Sequence, residues 1–158
     1  MRWLDEIPGD FAVTAVVGPV SGFADEAQQA AASSRRSVSL VHSPASLRDL
    51  MLAADIAISA GGQTLYELAA TGTPTLAIQV ADNQAGNIQP LSEKGAIRRL
   101  GRAGESGLTE NLRSMMAGFV STGGHAARLR MSSAGRALVD GRGARRAARE
   151  LMAIGGVE

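Results

Sequence analysis

Three polar clusters in this chain stand where an apolar run has just ended. Gly61-Gly62-Gln63-Thr64 follows "DIAISA", Asp82-Asn83-Gln84 follows "TLAIQV" by one residue, and Gly18-Pro19-Val20-Ser21-Gly22 follows "FAVTAVV". A double glycine lets a ligand come close to the backbone. The helix expected to start near Gln63 presents free N–H groups and the positive end of its dipole, and Thr64 adds a hydroxyl in the first turn. That combination suits an anion such as a phosphate. It lacks the Gly-Lys-Ser/Thr ending of a Walker loop, and its glycine spacing is not the dinucleotide fingerprint. The same two glycines serve equally as a tight strand-to-helix turn.

Glu67 follows Thr64 by three residues, nearly one helical turn, which puts it on the same side of that helix. Its two acceptor oxygens suit vicinal hydroxyls such as those of a ribose; the competing reading is an ordinary exposed acid. The amides of Asn83 and Gln84 both donate and accept, as sugar hydroxyls and phosphate oxygens require. Asp82 beside them is either part of that site or the N-cap of the next helix. Ser21 and its neighbouring glycines either meet a diphosphate or only turn the chain.

The elements that must position these residues are legible in the apolar pattern. Strands are expected at residues 11–18, 37–42, 55–60, 75–80 and 96–100, the first a Val-rich run buried on both faces. Helices are expected at 23–34, 47–54 with Ser46 as cap, 63–71 stopped by Gly72 and Pro74, and 83–95 interrupted at Pro90. Three more, at 108–120, 124–139 and 143–154, complete a helical end. Alternating strands and helices predict a Rossmann-like, doubly wound parallel α/β sheet of five to six strands, helices on both faces, in one domain spanning residues 1–158. Ligands of such sheets bind outside the carboxyl ends of the strands. The arginines from Arg142 to Arg149 read as the solvated side of an amphipathic helix that turns Ala147, Leu151 and Ile154 inward, or as an anion site.

Composition narrows the function. The net charge is +1, without the basic excess of a nucleic-acid-binding protein. There is no cysteine, and the only histidines, His42 and His125, lie far apart, so neither a structural metal site nor another cofactor is expected. No apolar run has the length of a transmembrane helix, and "MRWLDEIPGD" carries acids and a proline where a signal peptide needs an apolar core, so the expected location is the cytoplasm.

Taken together, "LMLAADIAISAGGQTLYELAATGTPTLAIQVADNQ" resembles the carboxyl-terminal half of glycosyltransferases built from two facing Rossmann-like domains, the GT-B arrangement. The likeness is strongest to nucleotide-sugar hydrolases of the pseudaminic acid pathway and their spore-coat polysaccharide relatives, and extends more distantly to the peptidoglycan N-acetylglucosaminyltransferase. The family elements "AAD", "GAGG-x-T-x-x-E", "G-x-P" and "A-[DE]-N-Q" are matched by Ala54-Asp55, Ala60-Gly61-Gly62, Thr64, Glu67, Gly72, Pro74, Asp82, Asn83 and Gln84. The later "LVDGRGARRAA" resembles the family's final helical turn, whereas residues 101–130 carry no clear motif.

The resemblance implies UDP or a UDP-sugar as ligand. It assigns the ribose hydroxyls to Glu67 and the diphosphate to the turn Gly61, Gly62, Gln63 and Thr64, with help from Ser21. The phosphate or sugar falls to Asp82, Asn83 and Gln84. The uracil edge falls to backbone groups of the segment containing His42, Ser43 and Leu47. The implied activity is UDP-sugar hydrolysis, with glycosyl transfer or non-catalytic nucleotide binding as the alternatives. In that family an amino-terminal domain supplies the catalytic histidine. This chain begins almost at the first strand of the second domain, so it is expected to lack that half and to be inactive alone.

Overall fold

All five expected strands form, and every ladder between them is parallel. The structure, a computed structural model, describes residues 2–18 and 22–155. A 3-10 helix at Arg2–Glu6 leads to strand β1 (Val13–Val17), helix α1 (Ala24–Ala32), β2 (Val38–His42), α2 (Arg48–Ala53) and β3 (Ala57–Ala60). Helix α3 (Thr64–Thr71), β4 (Thr75–Gln79), a 3-10 turn at Asp82–Gln84, α4 (Ala85–Glu93) and β5 (Ile97–Arg102) follow. Helices α5 (Leu108–Val120), α6 (Gly124–Leu138) and α7 (Gly143–Gly155) complete the described chain. Among the described residues no helix is long and apolar enough to cross a membrane.

The strands pair as two ladders, β1 with β2 and β3 with β4 with β5. Alternation along β4 shows how the second ladder is covered, since neighbouring residues of a strand point to opposite faces. Leu76 packs with Leu4, Ile7, Leu100, the α5 residues Leu112, Met116 and Phe119, and Met131 of α6. Its neighbour Ala77 packs with Leu65 and Ala69 of α3, Ile88 and Leu91 of α4, and Ile97. Helices therefore lie on both faces, as the sequence pattern predicts.

Several expectations change. Helix α7 does not turn Ala147, Leu151 and Ile154 inward, since every residue from 141 to 155 is exposed. Strand β1 is not buried on both faces: Thr14 and Val16 are exposed, Val16 by 45%, and only Val17 is buried. A run of valines looks the same whether one face or two are covered. Pro90 does not interrupt α4, which continues through it to Glu93. Its missing N–H removes one donor from the ladder, and Lys94 N–H still closes the last turn onto the Pro90 carbonyl at 3.2 Å.

Gly72 ends α3 with φ of 74°, the left-handed conformation that favours glycine. A side chain there would also collide with Arg136, whose guanidinium donates to Ser132 Oγ at 2.6 Å and to the Thr71 carbonyl at 3.4 Å. Ser46 is not the cap expected of it: Leu47 holds the cap position of α2 with no side-chain cap, and Ser46 Oγ, one residue earlier, accepts the Arg48 N–H at 3.2 Å. The amino-terminal segment is held by Arg36, which donates to the carbonyls of Leu4, Ile7 and Gly9 and lies 3.8 Å over the Phe11 ring.

Asp140 marks the start of α7. Its carboxylate accepts the Arg146 guanidinium at 2.6 Å and the Arg142 N–H at 2.9 Å. The Arg146 hydrogen bond, with the Arg142 N–H behind it, holds this carboxyl below the usual carboxylate range. A carboxyl depressed by folding contributes its stability above its unfolded pKa and loses it as pH falls through the folded one. The first turn of α7 is therefore expected to stay intact at neutral and mildly acidic pH and to fray only below the usual carboxylate range. Amide exchange of residues 144–147 followed by NMR across an acid titration reads this; Asp140→Asn should remove the acid-dependent step.

Candidate functional site

The register of the second ladder brings two of the polar clusters together. Ala60 pairs with Ile78, so β3 and β4 end side by side and both chains turn at the same edge. Gly61 N–H donates to the Ile78 carbonyl at 3.1 Å and to Gln84 Oε1 at 3.1 Å. The same Gln84 oxygen accepts the Val80 N–H at 2.9 Å. Asn87 Nδ2 donates to the Gly61 carbonyl at 3.0 Å, and the Tyr66 hydroxyl donates to Asn87 Oδ1 at 3.2 Å. Gln84 and Asn87 thus fasten the glycine turn to the loop after β4. Gly61 is glycine because a Cβ there would lie 2.5 Å from Ile88 Cδ1 and 2.9 Å from Gln84 Cβ.

Gly62 is different: a Cβ there would meet no atom within 4 Å, so its backbone faces open space. The N–H groups of Gly62, Gln63 and Thr64 have no acceptor among the described residues, as befits the first turn of a helix. Gln63 and Glu67 are exposed, Thr64 is half-buried, and neither the Glu67 carboxylate nor the Thr64 hydroxyl has a partner among the described residues. The face presented to solvent is therefore three backbone donors, a hydroxyl and a carboxylate one turn further on. It is an open shelf. A depression of about 720 Å³ between the first 3-10 helix, α1 and α5 is lined in part by Trp3, Glu26 and Arg113 and contains none of these residues.

The loop after β4 divides its labour. Asp82 is no helix cap: Ala81 holds the cap position and no side chain caps the turn. Its carboxylate accepts a hydrogen bond from Arg102 Nη1 at 2.5 Å in an exposed ion pair, Arg102 standing at the end of β5 where it pairs with Gln79. Asn83 is exposed, while half-buried Gln84 turns its oxygen inward. Sequence reading missed Asn87, Tyr66 and Arg102. Asn87 lies one helical turn after Gln84, a spacing that places both on one face; the partnership of Asp82 with Arg102, twenty positions away, leaves no local signal.

These roles separate by stability. Gln84→Ala removes the acceptor of the Val80 N–H and weakens the hold on Gly61, which keeps its bond to Ile78, at a cost of about 0.5–1.5 kcal/mol. Asp82→Ala removes an exposed ion pair and should cost about 0–1 kcal/mol. Urea unfolding of both variants checks the order, and an equal or reversed order would contradict the bracing role of Gln84.

The residues expected at the uracil edge lie on the first ladder. Val17 pairs with His42, so the loop beginning at Gly18 and the segment after His42 leave the same end of that ladder. Ser43 holds φ of 44°, unusual for a residue with a side chain, and its N–H donates to the Val17 carbonyl at 2.9 Å. His42 is exposed and Leu47, just before α2, is half-buried. Ser21 lies outside the described residues. Among the described residues no group of three histidines, aspartates or glutamates is placed to hold a metal ion.

No protein-family model matches the chain. It is similar to the spore coat polysaccharide biosynthesis protein SpsG of Bacillus subtilis (strain 168), with 37% identity over 94 residues, 60% of this chain. It spans about a quarter of that protein, 27% of its length. Among solved structures it resembles the spinosyn forosaminyltransferase SpnP at a TM-score of 0.55 and 18% identity, over 89% of this chain and 42% of that one. At that identity the likeness speaks for fold alone, and the fold is a partial GT-B-like α/β arrangement.

Proposed function

We propose that this chain is the donor-nucleotide-binding domain of an enzyme that acts on a UDP-sugar in surface polysaccharide or nonulosonate biosynthesis, in the cytoplasm. The observation that carries this reading is the shelf at the end of β3. There the unpaired N–H groups of Gly62, Gln63 and Thr64 stand one turn from the unpaired carboxylate of Glu67. Backbone donors at a helix start suit a diphosphate, and a carboxylate beside them suits the ribose hydroxyls. The similarity to a polysaccharide biosynthesis protein supports the same class of substrate.

In the proposed reaction the bond between the anomeric carbon and the diphosphate oxygen breaks and UDP leaves with the electron pair. Water takes its place in hydrolysis, the preferred activity; an acceptor hydroxyl does so in the alternative, glycosyl transfer. The residues of the shelf stabilise charge gathering on the departing diphosphate, a large contribution when donors are already aligned. Activation of the attacking oxygen falls to a second domain facing the shelf, because Asp82 is engaged with Arg102 and His125 lies at the start of α6, outside the strand-end loops. The same placement favours one other reading, a nucleotide-binding module without catalysis.

Calorimetric titration of the folded chain with UDP, UMP and ADP tests the proposal. UDP is expected to bind more tightly than either. No heat with UDP at millimolar concentration would refute the site; binding without turnover when the second domain is supplied would favour the module.

A further inference from the structure

One donor of the proposed shelf is aimed from inside the domain. The Gly62 N–H shares its peptide with the Gly61 carbonyl, and that carbonyl accepts Asn87 Nδ2 at 3.0 Å. No peptide among the described residues is cis, and in a trans peptide the C=O and the N–H point opposite ways. The bond that draws the Gly61 carbonyl toward α4 therefore turns the Gly62 N–H away from it, to a side where no described residue offers an acceptor. This peptide needs holding. It joins two glycines, and without a Cβ on either side it can turn over at little cost; that reversal is what separates type I from type II turns. Turned over, it would meet a ligand with a carbonyl oxygen in place of an N–H. The bonds from Gly61 N–H to the Ile78 carbonyl and Gln84 Oε1 belong to the preceding peptide and do not fix this one. Among the described residues Asn87 supplies the only hydrogen bond to it.

Asn87 is itself set. It stands on α4 and Tyr66 on α3, both half-buried, and the Tyr66 hydroxyl donates to Asn87 Oδ1 at 3.2 Å. With the amide reversed, its oxygen would face the Gly61 carbonyl, acceptor against acceptor. We propose that Asn87, oriented by Tyr66, is a positioning residue that fixes the Gly61–Gly62 peptide with its N–H toward the ligand, so that the turn meets a diphosphate with a donor. The ligand half of this inference rests on the nucleotide reading above; the orientation of the peptide does not.

The test is Asn87→Asp, which keeps the shape of the side chain and exchanges its donor for an acceptor. Amide exchange is followed by NMR in the ligand-free chain. In the parent, the N–H groups of Gly62, Gln63 and Thr64 should exchange quickly. In the variant the peptide should turn over and give its N–H to the carboxylate, slowing Gly62 by about tenfold or more, as a hydrogen bond to a charged group does. Gln63 and Thr64 should stay fast, which separates reversal from the effect of added charge. UDP affinity of the same variant, by calorimetry, should fall by about tenfold or more. Tyr66→Phe leaves Asn87 in place and so keeps the fold. It should lower UDP affinity about two- to tenfold, and should add nothing in an Asn87→Ala background. Unchanged Gly62 exchange in a folded Asn87→Asp protein overturns the proposal. So does a Tyr66→Phe loss that persists in the Asn87→Ala background. If the parent binds no UDP, the nucleotide reading fails alone, because the exchange measurement without ligand still decides what Asn87 does.

Discussion

Gly61→Ala is expected to destabilise the domain and to remove nucleotide binding in the same step. The added methyl would sit 2.5 and 2.8 Å from the Cδ1 and Cγ1 of Ile88 and 2.9 Å from Gln84 Cβ. Ile88 is itself 2% exposed and packed with Leu65, Leu91 and Ile97, so it has little room to give way. Overpacking of this kind costs about 1–3 kcal/mol, roughly 2–12 °C in melting temperature for a chain of this size. The alternative to unfolding is a shift of the loop, and the loop that shifts carries Gln84, the brace of the glycine turn. Gly62→Ala is the matched control. Its methyl meets nothing, so the melt should stay within about 0.5 kcal/mol of the parent, while UDP binding falls because the methyl projects into the open side of the shelf. A Gly61→Ala variant that melts and binds like the parent would contradict this account of the turn.

Glu67→Ala is expected to weaken UDP binding by about ten- to hundredfold without affecting the fold. The carboxylate is exposed and has no partner among the described residues, so no intramolecular contact is lost. What is lost is a charged hydrogen bond to the ligand, about 1.5–3 kcal/mol, which converts to that loss of affinity. Calorimetry with UDP and with a deoxyribose analogue separates the role of Glu67 from a general effect of charge. If Glu67 holds the ribose hydroxyls, the analogue binds the parent weakly and the variant no worse. Undiminished UDP affinity in a folded Glu67→Ala protein would remove Glu67 from the site.

Much of this was legible in the sequence because the signals were local. The strands announced themselves as apolar runs, and Gly72 with Pro74 marked the end of α3 through backbone geometry that few other residues adopt. The shelf was legible for the same reason: a glycine pair, a hydroxyl and an acid at fixed spacing define a helix start whatever surrounds it. What escaped depended on partners distant in the chain. Asp82 reads as a cap until Arg102 is brought beside it. The bracing role of Gln84 shows only once the register of β3 on β4 presents two backbone donors to its oxygen. The exposed side of β1 and the outward aliphatic stripe of α7 escaped differently, since apolar periodicity tells which residues share a face and not what covers it.

The division of the strands into two ladders sets a gradient of rigidity across the proposed site. Of the seven largest fully buried side chains among the described residues, only Ile7 lies outside the segment from Leu65 to Ile97, and α1 buries none. Local opening is least costly where buried apolar contact is sparse, so the pair β1 and β2 breathes more readily than β3 to β5. The glycine turn and Glu67 belong to the stiff part and His42 to Leu47 to the soft one. A nucleotide spanning both would find its diphosphate end already in place and would have to still the base end on arrival. Recognition of the base would then be partly offset by the entropy of that quieting, so the phosphates would supply most of the affinity and the base the smaller margin that separates UDP from ADP.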